Sequence, residues 1–87
     1  FLFIEALADG AVAEGMPRAQ AYELVAQAVL GSARMVLETG MHPGELKDMV
    51  CSPGGTTIQG VRTLEEKNFR AAAMDAVLAC VEKSRRL

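Results

Sequence analysis

Ala21, Leu24, Val25, Ala28, Val29, Ser32, Met35 and Val36 recur at three- and four-residue spacing, while Gln20, Glu23, Gln27, Arg34 and Glu38 fall largely off that stripe. Such a pattern is that of one long amphipathic helix. Pro17 suits its first position, because a proline there gives up an N–H that no carbonyl would have accepted. Gly40 suits its end. The same spacing recurs before it, in Ile4, Leu7, Ala8, Ala11 and Val12, which predicts a helix from Phe1 to Glu14 stopped at Gly15. After the turn Met41-His42-Pro43-Gly44, residues Glu45 to Val50 are long enough for a short helix. Ile58, Val61 and Leu64 predict another from near Thr56 or Thr57. Phe69, Ala72, Ala73, Ala76, Val77, Cys80 and Val81 predict a last one capped by Asn68. No stretch alternates as a strand would, and no internal repeat is present. The expectation is an all-α domain, a bundle of about five helices.

With 87 residues there is room for one domain, of a size that buries a modest fraction of its surface. Half of the residues (51%) are hydrophobic, yet there is no Trp, one Tyr and three Phe, so the apolar content is carried by Ala, Val, Leu and Met. Alanine-rich helices leave broad, shallow faces that suit interlocking with a second copy better than closing a core. The five Met residues, Met35 and Met74 among them, are expected as core filler.

A net charge of −2 and the lack of a basic stripe give no reason to expect a nucleic-acid partner. Lys83, Arg85 and Arg86 are read as stabilising a helix C-terminus, and Glu65-Glu66-Lys67 as a solvated helix end. No apolar run is long enough to cross a bilayer, so the chain reads as soluble with no membrane partner. Cys51 and Cys80 lack metal-ligand spacing and are too few for a disulfide framework. They are expected as buried free thiols of a reducing, cytoplasmic compartment, with no metal site. Because Phe1 opens inside an apolar helical pattern, without Met or a cap, the chain reads as part of something longer.

The chemistry concentrates in Ser52-Pro53-Gly54-Gly55-Thr56-Thr57. One account is purely structural: Ser and Thr cap, Pro and Gly turn. Another is a ligand site, since paired glycines let backbone approach a ligand and a helix start presents unpaired N–H groups to an anion. A carboxylate there would accept bonds from the Ser52 hydroxyl and from N–H groups around Gly55, Thr56 and Thr57, each charge-assisted bond contributing about 1.5–3 kcal/mol. His42 is the sole imidazole, and its place before Pro43 suggests a loop or N-cap role ahead of general acid chemistry. No G-x-G-x-x-G follows a strand and there is no P-loop, so this chain does not hold a nucleotide by itself.

The run from Pro43 to Glu65, containing Leu46-Lys47-Asp48, Ser52-Pro53-Gly54-Gly55-Thr56-Thr57 and Leu64-Glu65 and preceded by His42, resembles the signature of the pyrroline-5-carboxylate reductase family. Glu5-Ala6-Leu7-Ala8-Asp9-Gly10 and Phe69-Arg70-Ala71-Ala72 resemble its flanking helices, so the likeness covers nearly the whole chain. The resemblance implies a C-terminal helical domain over residues 1–87 that intertwines with its copy in a homodimer, possibly within a higher oligomer. It also implies a Rossmann domain, absent from this sequence, that carries NADPH or NADH. By the same resemblance, Ser52 and the N–H groups of Gly55, Thr56 and Thr57 hold the carboxylate of 1-pyrroline-5-carboxylate. Thr57 is then the catalytic residue, its hydroxyl directed at the ring nitrogen as the imine is reduced to L-proline. The chain alone is expected to be inactive. Two rival readings stay open: a non-catalytic helical dimerisation module, and the helical domain of another Rossmann oxidoreductase acting on a small carboxylic acid.

Overall fold

The computed structural model describes residues 1–87 and contains five helices and no strand: α1 (Leu2–Ala13), α2 (Arg18–Thr39), α3 (Pro43–Val50), α4 (Thr56–Glu66) and α5 (Phe69–Arg85). The all-α expectation and the helix count hold. The chain divides into two compact units, Phe1–Leu46 and Lys47–Leu87.

In the first unit α1 packs on α2. The contact is built from small residues: Ala8 and Ala21 have no exposed surface, which lets two helix backbones approach closely. Between the helices Gly15 takes a left-handed backbone (φ +106°), and its N–H donates to the Val12 carbonyl at 2.9 Å. Pro17 lies one residue outside α2, at its N-cap, with an extended backbone (φ −57°, ψ 138°), and not at the first helical position that the sequence suggested. Its carbonyl still accepts the first helical bond, from Ala21 N–H at 2.9 Å. At the other end Gly40 has φ +69°, a conformation that costs a side-chain-bearing residue about 1 kcal/mol.

An ion pair also ties the two helices. Arg18 Nη1 donates to Asp9 Oδ1 at 2.7 Å, and the guanidinium lies 6.0 Å from the centre of the Tyr22 ring. The hydrogen bond to Asp9, followed by that to Tyr22, holds the Arg18 guanidinium above its ordinary range.

In the second unit α4 packs on α5. Asn68 joins them in the left-handed region (φ 60°, ψ 35°) and makes no side-chain cap bond. Asn68 is the N-cap of α5 that the sequence predicts, but what the position takes from asparagine is tolerance of positive φ and not a side-chain bond. Arg70 Nε, early in α5, donates back to Glu65 Oε1 at 2.8 Å. Lys83 and Arg85 occupy the last turn of α5, as expected.

Two expectations about burial fail. Met35, Met49 and Met74 are 48%, 65% and 60% exposed, so they fill no core within the chain. Cys80 is exposed and Cys51 half-buried, both free, so neither thiol is buried. The cause is common to both: Ala8 and Ala21 are the only buried hydrophobic residues, and Leu37, Val77 and Leu78 stand open along α2 and α5. Each such side chain withholds about 1.5–3 kcal/mol of burial free energy that only another surface can recover.

Candidate functional site

Ser52 to Thr57 form a tight turn that delivers the chain into α4. α3 closes with Cys51 N–H donating to the Asp48 carbonyl at 3.3 Å. Then Ser52 C=O accepts Gly55 N–H at 3.1 Å across Pro53 and Gly54, and Gly54 has φ +69°. Proline at the second turn position and a positive-φ glycine at the third make a type II turn, which explains why this sequence folds so locally.

Gly55 is the N-cap of α4, with extended backbone (φ −80°, ψ 179°), and no side chain caps this helix. A side chain there would displace the Ser52 hydroxyl. A Cβ on Gly55 would stand 2.5 Å from the Ser52 hydroxyl oxygen. The Ser52 hydroxyl therefore rests directly over the entrance to α4.

The three backbone donors named from the sequence do not behave alike. Gly55 N–H is engaged by the Ser52 carbonyl. The N–H groups of Thr56 and Thr57, in the first turn of α4, have no carbonyl partner inside the helix and sit at the positive end of its dipole. An anion placed there meets those two donors together with the Ser52 hydroxyl.

A shallow depression of about 460 Å³ opens beside the turn, lined by Gly54, Gly55, Thr56, Ile58 and Gln59. Its size is that of small-molecule sites in general. The structure thus gathers Gly55 and Thr56 with Ile58 and Gln59, which sequence reasoning missed. Gln59 follows Thr56 by three positions, a spacing that puts both on one helix face and would have signalled it. Ser52 and Thr57 do not line the depression. Thr57 is the next residue round the α4 axis from Thr56, about 100° away.

His42 belongs to the first unit, where its Nδ1 accepts the Gly44 N–H at 2.9 Å. This is the N-cap role, and it starts α3 at Pro43, two residues before the sequence suggested. No group of three or more His, Cys, Asp and Glu residues is arranged to hold a metal ion. No helix is long and apolar enough to cross a membrane. A dinucleotide does not fit the residues present, since five helices without a strand provide no βα phosphate turn.

Comparison with known proteins gives the family. The family described as pyrroline-5-carboxylate reductase dimerisation matches residues 1–87. The pyrroline-5-carboxylate reductase of Escherichia coli (strain K12) is 71% identical over 87 residues, which are 100% of this chain and 32% of that protein. The Arabidopsis thaliana enzyme is 61% identical over 87 residues, with the same shares. Among solved structures, the Streptococcus pyogenes 1-pyrroline-5-carboxylate reductase superimposes with a TM-score of 0.95 at 42% identity, covering 99% of this chain and 33% of that one. The Plasmodium falciparum pyrroline carboxylate reductase, solved with NADP bound, gives 0.91 at 42% identity over 95% of this chain and 32% of that one. The chain spans about a third of the length of the relatives it matches.

Proposed function

Because the chain belongs to the pyrroline-5-carboxylate reductase dimerisation family, we propose that it is the helical C-terminal part of a pyrroline-5-carboxylate reductase, supplying that enzyme's dimer contacts and its substrate seat. The full-length enzyme reduces 1-pyrroline-5-carboxylate to L-proline with NADPH or NADH. The observation that carries the substrate reading is the entrance to α4, an uncapped helix start with the Ser52 hydroxyl poised above it.

A carboxylate there takes the N–H groups of Thr56 and Thr57 and the Ser52 hydroxyl, and so balances its charge without an arginine. That grip fixes one end of a small ring. The Thr57 hydroxyl then serves the ring nitrogen, which gains a proton as the imine becomes an amine; a donor aimed at that atom orients the substrate and eases the proton's arrival. Positioning is the larger contribution. The dinucleotide supplies the reducing equivalent and is held by sequence outside this chain, in a Rossmann domain that precedes it.

The exposed apolar faces of α1, α2 and α5 supply the dimer reading. With only Ala8 and Ala21 buried, the chain keeps its hydrophobic surface for a second copy, with which it intertwines. The free Cys51 and Cys80 fit a reducing cytoplasm.

The test is NADPH and NADH oxidation by the full-length protein with 1-pyrroline-5-carboxylate, beside light scattering for mass. Turnover by a dimer or a multiple of it is expected. A dimer inert with either cofactor would sink the reductase reading and keep a helical dimerisation module.

A further inference from the structure

We propose that His42 is a positioning residue for the substrate loop, acting through the start of α3 and taking no part in proton transfer. The inference rests on reading Ser52 to Thr57 as the substrate seat. A helix leaves its first N–H groups without partners in a preceding turn, and in α3 His42 meets those of Gly44 and Glu45 and accepts the first regular helical bond, from Leu46. Pro43 has no N–H to satisfy. Gly44 N–H donates to His42 Nδ1 at 2.9 Å, and the His42 carbonyl accepts Glu45 N–H at 2.9 Å and Leu46 N–H at 3.2 Å.

The fit is close, because a Cβ on Gly44 would stand 3.0 Å from Nδ1 and 3.2 Å from Cε1 of the ring. α3 has eight residues and none of them is buried. A helix of about two turns does not sustain itself by propensity, so it depends on its ends. Ser52 follows the last residue of α3 by two positions. A helix that frays from His42 therefore loosens the segment that feeds the Ser52 turn.

Accepting a hydrogen bond at Nδ1 also fixes the chemistry of the ring. The neutral imidazole carries its proton on Nε2, and the Nδ1 lone pair is already committed to backbone. An imidazole so used is an anchor.

The test uses the full-length reductase, with mass checked by light scattering. His42→Ala is expected to raise KM for 1-pyrroline-5-carboxylate about tenfold while KM for NADPH stays within about twofold. His42→Asn, whose side-chain oxygen reaches the same N–H, is expected to restore KM to within about threefold of wild type. Equal loss of kcat in both variants with KM unchanged would make His42 a proton donor and overturn the proposal, as would an Ala variant with wild-type constants. A reading independent of variant folding is the tautomer of the neutral His42 ring in the wild-type enzyme, by nitrogen–proton correlation NMR. The Nε2–H form is expected, and the Nδ1–H form would contradict it. Absence of wild-type turnover would instead overturn the substrate reading, and the proposal with it, whatever the tautomer.

Discussion

The Ser52 hydroxyl and the α-carbon of Gly55 are packed so closely that a single methyl group does not fit between them: a Cβ on Gly55 would lie 2.5 Å from the hydroxyl oxygen and 3.3 Å from the Ser52 carbonyl oxygen. The backbone of Gly55 is extended, so its conformation asks nothing special of the residue. A side chain there fits only if the Ser52 hydroxyl moves. Gly55→Ala therefore swings the Ser52 hydroxyl off the α4 entrance. In the full-length enzyme, KM for 1-pyrroline-5-carboxylate should rise about tenfold or more with the dimer intact. Steady-state kinetics with light scattering checks this.

Gly54 is a different case, because its constraint is φ +69° in open surroundings. Gly54→Ala pays the left-handed penalty of about 1 kcal/mol without a clash. Denaturant unfolding should show that loss, and the turn should survive it.

Ala8 and Ala21 are both fully buried in the unit where α1 packs on α2. Their smallness sets the helix separation. Ala8→Leu overfills the contact and should destabilise the protein by about 1–3 kcal/mol in urea unfolding.

The Asp9–Arg18 pair is more than half exposed at both ends, and exposed pairs contribute little. Asp9→Asn should lower the melting temperature slightly, and the difference should shrink in about 1 M salt. A raised arginine keeps its stabilising charge below its ordinary range and loses it only as pH rises past that range. The Arg18 side of the pair therefore gives no change in stability across neutral pH.

Leu7, Phe3, Ala28, Val29 and Val36 line an apolar groove of about 490 Å³ within the first unit. With Leu7 still 42% exposed, a second copy is the surface that would cover it. Leu7→Glu should shift the mass measured by light scattering toward monomer, because a carboxylate buried without a partner is costly.

Local rules made most of the fold legible in the sequence. Three- and four-residue spacing located α1, α2, α4 and α5, length between two turns located α3, Gly40 ended α2, and Pro53 with Gly54 fixed the turn before α4. What was missed depends on longer-range geometry. The Asp9–Arg18 bond joins residues nine apart across a helix junction, which no helical periodicity connects. Asn68 does stand at the N-cap of α5, but its backbone takes the left-handed corner and its side chain makes no cap bond, which residue type alone does not foretell. The methionines read as core because apolar periodicity marks a face and is silent on what covers it. Of the four residues that the sequence motif names, Gly55 and Thr56 line the depression, while Ser52 and Thr57 do not. Gln59 was not legible, because its contribution depends on the α4 face it shares with Thr56.

The central claim is that the α4 entrance seats the substrate and that the Thr57 hydroxyl acts on it. The most direct measurement is turnover of 1-pyrroline-5-carboxylate by the full-length enzyme as wild type, Ser52→Ala, Thr57→Ala and Thr57→Ser, with dimer mass recorded for each. The account predicts that Ser52→Ala raises KM, that Thr57→Ala loses about a hundredfold in kcat, and that Thr57→Ser recovers most of it. Wild-type constants in both Ala variants, with the dimer intact, would contradict it.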